Sequence, residues 1–386
     1  MTTFPDSLLD DTHRAFRDTC RRFAETAIRP HVVAWEEAET FPRALYREAA
    51  RAGILGVGFP EEVGGCGGDV VHATMAAEGL LRGGSMGVAA GLGSLGIALP
   101  PILQWADADQ IDRFVRPVLA GERIAALAIT EPNAGSDVAG IRTRARRDGD
   151  DYVIQGAKTF ITSGARADVL TTLCRTGDDP HGGLTFFVVE GDMPGLSRSR
   201  PFHKTGWRAS DTAALYFDDV RVPARNRIGP EGSGFATVMR GFQTERLALA
   251  AYGHAAATIA LEEARRHARE RVAFGRPLTG FQVIRHKLAE MATLATVARA
   301  FDYALALRVA AGEQPVAEIA MAKNFAAHVA QRVCHEAVQV FGGMGYMRDT
   351  LVERLSRDVR LLSIGGGTHE IMNEIIARFV APRPRP

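Results

Sequence analysis

The sequence has 386 residues, 46% hydrophobic and 24% charged, with a formal net charge of +1. That length suggests two or three structural units, and the mix supplies ample material for a large apolar core. The near-neutral balance excludes the basic footprint of a nucleic-acid or membrane-surface protein. No unbroken apolar run reaches the roughly 18 residues a spanning helix needs, so no transmembrane helix is expected.

The N-terminus, MTTFPDSLLDDTHRAF, has neither a basic nor an apolar leader region and too many acids for a transit peptide. Cys20, Cys66, Cys174 and Cys334 are scattered without a C-x-x-C pair. Reduced, buried thiols in a cytoplasmic protein are expected. No His/Cys grouping has zinc-site spacing, so no metal is expected and difficult chemistry would fall to an organic cofactor.

From residue 7 to about 120 the apolar residues Leu8, Leu9, Phe16, Phe23 and Ala27 recur near multiples of the helical period. Gly64–Asp69 marks a loop, and Pro100-Pro101 is expected to interrupt a helix or open the next. Between about 125 and 225 the pattern changes to short runs, Tyr152–Ile154, Val169–Cys174, Leu184–Val189 and Ala213–Phe217, separated by Gly, Asp and Pro clusters. These read as strands and turns. Ala/Leu/Val-rich helical stretches follow at 235–270, 280–311, 316–341 and 366–380, and the tail 382–386 (PRPRP) is expected to fray. A sheet between two helical blocks predicts an α+β fold with units at 1–124, 125–231 and 232–386.

Two nucleotide signatures are absent. Gly342-Gly343-Met344-Gly345 follows a helical stretch and has Arg348 where a dinucleotide fingerprint needs its third glycine. No phosphate-binding P-loop appears. The segment Ala128–Gly140 (AITEPNAGSDVAG) reads as a strand end running into a small-residue loop. It is either an ordinary turn or a loop offering N–H groups and a hydroxyl to a polar ligand.

That segment closely resembles the first signature of the acyl-CoA dehydrogenases. Gln339–Tyr346 (QVFGGMGY), with Asp349, Arg354 and Asp358 beyond it, resembles the second, and Phe160–Thr162, Arg208–Thr212 and Glu270–Gly275 fall between them in the family's order. The likeness covers roughly residues 10 to 380. It implies N-terminal helices, a middle β-barrel and a C-terminal four-helix bundle. It also implies FAD as cofactor, a homotetramer, an acyl-CoA or acyl-carrier thioester as substrate, and an electron-transfer flavoprotein as electron acceptor.

The resemblance assigns site residues. The loop containing Leu127, Ile129, Thr130, Gly135 and Ser136 would bind the flavin pyrimidine end, with Ser136 also facing a phosphate on the substrate side. Thr162 would give its hydroxyl to flavin N5. Phe160, where many relatives carry Trp, and Ile161 would cover the ring; Phe160 lacks an indole N–H donor. Arg271 would clamp a pyrophosphate, and with Phe274 and Gln282 would reach the FAD of a neighbouring subunit. Gln339 and Gly343 would lie on the adenosine side, and Thr368 and Glu370 at the following turn.

α,β-Oxidation of a thioester needs a carboxylate at the α-carbon and donors on the thioester oxygen. Many relatives carry this glutamate in a Tyr-Glu-Gly-Thr run, which reads Gly365-Gly366-Gly367-Thr368 here. The segment Phe242–Leu247 (FQTERL) instead resembles the place where isovaleryl-CoA and long-chain enzymes hold their base, which makes Glu245 the expected catalytic residue. Gly366 would then clear space for that carboxylate and present an N–H to the thioester oxygen, with Arg246 and Gly367 as further substrate-side contacts. The placement of Glu245 hints at branched or long acyl chains. The alternatives are another flavin chemistry on the same fold, as an oxidase or monooxygenase, and a non-catalytic CoA-binding protein.

Overall fold

The computed structural model describes residues 9–381. Leu8, the first residues of the N-terminal stretch and the tail 382–386 therefore lie outside the described residues.

The first block is helical: α1 (Asp11–Phe23), α2 (Val32–Glu37), α3 (Ala44–Arg51), α4 (Val70–Leu81), α5 (Met86–Gly93), α6 (Leu95–Leu103) and two short helices, α7 (Ala108–Gln110) and α8 (Arg116–Leu119). Local chemistry starts them. Asp10, Asp69 and Ser85 each accept a bond from the N–H three residues on, capping α1, α4 and α5. The Gly64–Asp69 stretch is a loop, with Gly64, Gly67 and Gly68 at positive φ. It leaves Cys66 exposed, against the expectation of buried thiols, while Cys20, Cys174 and Cys334 are buried.

Pro100 and Pro101 sit inside α6 rather than at its boundary. Lacking N–H groups, the two prolines deprive the Gly96 and Ile97 carbonyls of their helical donors, a loss that the surrounding packing tolerates. Residues 86–103 are, by length and composition, apolar enough to cross a membrane, contrary to the sequence reading, but 72% of that stretch is buried inside the protein. Three hydroxyls tie it down: Tyr252 donates to Ala89 O, Tyr46 to Gly91 O and Thr171 to Ala98 O. It is a core helix, apolar because it is surrounded.

The middle block is an eight-stranded sheet: β1 (Ala125–Ala128), β2 (Arg144–Asp148), β3 (Asp151–Thr162), β4 (Val169–Arg175), β5 (Leu184–Glu190), β6 (Leu196–Arg198), β7 (Thr212–Pro223) and β8 (Arg227–Ile228), in the order β6-β7-β3-β2-β4-β5-β8 with β1 beside β4. Strand β2, sequence RARRD, is invisible to a hydrophobic-pattern reading because only Ala145 points into the core. The sheet curls on its own apolar interior: the ring of Tyr152 on β3 lies 4.8 Å from that of Phe187 on β5, three strands away.

The last block contains α9 (Gly234–Glu270), α10 (Gln282–Ala310), α11 (Val316–Phe341), α12 (Leu351–Asp358) and α13 (His369–Val380). Alanine on the buried faces of α9 and α11 lets the two axes approach closely. The stretch expected to be helical from 366 begins its helix at His369, because Gly366 and Gly367 hold φ of +64° and +94° in the preceding turn. One core joins the two helical blocks and one face of the sheet, and a second fills the sheet's interior.

Candidate active site

Glu245 lies in the first third of α9, facing the turn 365–367 that precedes α13. A Cβ built on Gly366 would sit 3.5 Å from Glu245 Oε1 and 2.3 Å from Leu249 Cδ1. A side chain there would have to displace the tip of Leu249, and the volume beside it is shared by a carboxylate arriving from another helix. The positive φ of Gly366 excludes most side chains on backbone grounds as well.

Two buried cations hold this turn. Arg246, 4% exposed, donates from Nε to Gly366 O at 3.4 Å, and Lys323 of α11, 1% exposed, donates to Gly367 O. Both spend their hydrogen bonds on backbone carbonyls. Part of the Glu245 surface stays open to solvent while protein closes round the rest. Burial pushes its carboxyl up to about 7, opposed by the charges of Arg246 and Lys323. Burial also brings Lys323 down to about 8, with Glu245 pulling the other way. Thr368 caps α13 by accepting from Ile371 N at 3.3 Å.

Lys323 carries no sequence signature of its own. The signal that would have found it is a lone cation on the buried face of α11, among Ile319, Ala320, Ala322, Ala326 and Ala327.

A second group forms where β1 meets β3. Leu127 is half-buried, Ile129 buried, and Ile129 O accepts from Lys158 Nζ at 2.9 Å while Thr130 O accepts from Thr159 N at 2.8 Å. Lys158 also binds Glu131 Oε1 at 2.9 Å, and Glu131 takes the N–H groups of Arg142 and Thr143. These bonds fix the tight Glu131–Ala134 turn from below, and Gly135 and Ser136 are exposed just beyond it. A β-bulge between Lys158 and Ile161 puts Phe160 at φ +58° and 69% exposed, with Ile161 buried and Thr162 half-buried opposite Thr212. A bulky residue in the left-handed region costs about 1–3 kcal/mol, a strain that recurs at functional sites. A flat apolar face, backbone groups at a fixed turn and adjacent hydroxyls fit a ring with one polar edge, which is what a flavin presents.

The remaining residues occupy exposed surfaces. Arg271 follows α9, Phe274 is 94% exposed on a two-stranded ribbon, and Gln282 opens α10. Gln339 and Gly343 are exposed at the end of α11. Thr368 and Glu370 line a cleft of about 330 Å³ with His328, Gln331 and Arg360, on the α11 side of the turn.

A possible metal grouping, which the spacing does not reveal, joins His13, Asp69 and His72, whose ligand atoms lie within 4.8 Å of one another. The two imidazoles stack at 4.2 Å and 30°, so their in-plane lone pairs do not converge on one point, and Asp69 is engaged in capping α4. The three residues tie α1 to α4.

Comparison with known proteins agrees with this arrangement. Residues 10–122, 126–220 and 232–381 match the families described as acyl-CoA dehydrogenase N-terminal, middle and C-terminal domain. The chain is 38% identical over 377 residues to the long-chain specific acyl-CoA dehydrogenase, mitochondrial, of Sus scrofa, covering 97% of this chain and 87% of that protein. It is 52% identical to the crystal structure of a probable acyl CoA dehydrogenase from Mycobacterium abscessus, with TM-score 0.95 and coverage of 96% and 99%. A glutaryl-CoA dehydrogenase from Mycobacterium smegmatis, solved in complex with FADH2, is 28% identical with TM-score 0.93, covering 99% of this chain and 97% of that one. The chain belongs to the acyl-CoA dehydrogenase family, flavin-dependent oxidoreductases acting on acyl-CoA thioesters.

Proposed function

We propose that the protein oxidises an acyl-CoA thioester to the trans-2-enoyl thioester with Glu245 as base and FAD as cofactor. The α C–H bond breaks with its proton passing to the Glu245 carboxylate, and the β-carbon loses a hydride as the C=C bond forms. FAD, when bound, accepts that hydride. The Gly366 N–H holds the thioester oxygen and so favours charge developing beside the α-carbon. Lys323 and Arg246 fix the carbonyls of the same turn and keep that donor in place. A carboxyl near 7 suits proton abstraction, since it ionises around neutral pH yet is basic enough to take a carbon-bound proton. The observation that carries this reading is the 3.5 Å approach of Glu245 Oε1 to the empty side-chain position of Gly366.

For the cofactor, Leu127, Ile129, Thr130, Gly135, Ser136, Phe160, Ile161 and Thr162 are the residues we assign to the flavin ring and its adjoining phosphate. Arg271, Phe274, Gln282, Gln339, Gly343, Thr368 and Glu370 are assigned to the pyrophosphate and adenosine, the first three across a homotetramer contact. Support for that contact is the exposure of Val272, Phe274, Val283 and Tyr346 on one chain. An electron-transfer flavoprotein is the acceptor we propose.

The test is anaerobic mixing of the FAD-loaded protein with acyl-CoAs. Glu245→Gln should bind FAD and substrate but reduce flavin at least ~10²-fold more slowly. Near-normal reduction in the variant would show that the base lies elsewhere.

A further inference from the structure

The size of the acyl group follows from how α5, α6 and α9 meet, granted the desaturation reading above. α9 runs antiparallel to α5–α6 and is tied to that stretch at two levels. Near one end Trp105 Nε1, just past α6, donates to Thr237 Oγ1 at 3.1 Å; near the other Tyr252 OH donates to Ala89 O at 3.2 Å. Between the ties, each partner shows an accessible stripe; α9 is also accessible at residues 239, 240 and 242–244, so its stripe is the part of that surface that continues to Ala248. On α5–α6 it is Gly93, Gly96, Ile97 and Pro100; on α9 it is Gly241, Glu245 and Ala248. Spacings of three, four and seven put each stripe on one helix face.

The two stripes stop at the same level. A Cβ on Gly96 would meet nothing within 4 Å, whereas one on Gly93 would lie 3.1 Å from Tyr252 OH. Beyond Gly93 the chain is buried at Ala90 and Ala89, and beyond Ala248 it is buried at Tyr252 and Ala255. A slot that contains the Glu245 carboxylate is thus open at Gly96 and closed by a phenol.

We propose that Tyr252 is the floor of the acyl slot and that the protein takes short and medium acyl groups, not long ones. Tyr252 lies two turns beyond Glu245 on the same face, about 10 Å along the axis, which leaves room for acyl groups of up to about eight carbons. Its side chain leans back toward Glu245, shortening the slot further. The ring is fixed: it is 7% exposed and sits edge-on to Trp207 at 6.3 Å. Swinging it aside would break its hydrogen bond to the Ala89 carbonyl. This departs from the long or branched chains that the position of Glu245 suggests.

The experiment is anaerobic flavin reduction of the FAD-loaded protein by butanoyl-, hexanoyl-, octanoyl-, dodecanoyl- and palmitoyl-CoA. The first three should reduce the flavin, with kcat/KM for the last two at least about tenfold lower, the scale of a pocket mismatch by one or more methylenes. Tyr252→Ala should raise dodecanoyl-CoA relative to butanoyl-CoA by about tenfold or more, and Tyr252→Phe should keep the original order. Gly96→Leu, placed in the open part of the slot, should lose octanoyl-CoA before butanoyl-CoA, and it decides the matter if Tyr252→Ala does not fold. Palmitoyl-CoA used as well as butanoyl-CoA by the unmodified protein, or a chain-length order unmoved by both Tyr252→Ala and Gly96→Leu, overturns the proposal. Silence toward every acyl-CoA overturns the desaturation reading itself, and this one with it.

Discussion

Glu131 and Glu245 are both enclosed carboxylates with a buried lysine nearby, and they end in opposite states. Glu131 receives Lys158 at 2.9 Å and two backbone N–H groups, and despite burial its carboxyl is held below the usual range by Lys158 and these bonds. Glu245 has Lys323 and Arg246 within electrostatic reach, but both donate to the carbonyls of Gly366 and Gly367, so burial wins and the carboxyl rises to about 7. Direct hydrogen bonds make a carboxylate inert and structural. Withholding them, with the same ingredients, leaves one ready to take a proton. The first pair braces the turn beneath the proposed flavin loop; the second furnishes the proposed base.

The largest expected effect comes from breaking the inert pair. Glu131→Gln leaves the fully buried Lys158 ammonium unpaired and should cost about 3–5 kcal/mol of stability, seen as a lower midpoint in denaturant. A midpoint equal to that of the unmodified protein would mean Lys158 finds another partner.

Glu245→Gln should divide activity from stability. Flavin reduction falls at least ~10²-fold, yet the fold should gain. The folded carboxyl, at about 7, lies above its ordinary 4.5 and holds its proton more tightly than in the unfolded chain. Its favourable contribution is therefore complete below about 4.5 and disappears as pH rises through about 7. The variant should melt higher than the unmodified protein at about pH 8 and no higher at about pH 4, by thermal scans at both. A lower melting temperature at the higher pH would count against a desolvated Glu245.

The pH profile sharpens the contrast. Reduction of flavin by a good substrate should rise through about pH 7 as Glu245 ionises. Lys323→Met removes a charge that favours ionisation, so the rising limb should move to higher pH, while Lys323→Arg should leave it in place. A variant that merely loosened the turn would lower the rate without moving the limb.

Smallest are the hydroxyls assigned to the flavin. Ser136→Ala and Thr162→Ala should each weaken flavin binding by about 0.5–1.5 kcal/mol, measured by titration of the stripped protein. Unchanged affinity and an unchanged flavin spectrum in both would remove them from the site.

Helix periods, the strand-and-turn interval and the long motifs are local patterns, so the sequence alone was enough for the α+β class, the family likeness and the pairing of Glu245 with an emptied Gly366. Strand β2 escaped because it carries four charges in five residues and is a strand only through its neighbours. Pro100 and Pro101 misled because a short helix braced by side-chain hydroxyls tolerates what a free one does not. Lys323 stayed hidden because its meaning depends on which carbonyl it reaches across the bundle. Tyr252 carries no local signal, and only the packing of α9 lays it over Gly93. Distances between helices that are far apart in sequence are set by packing, and packing alone decided which carboxylate was neutralised, which was left reactive, and how deep the slot beside it runs.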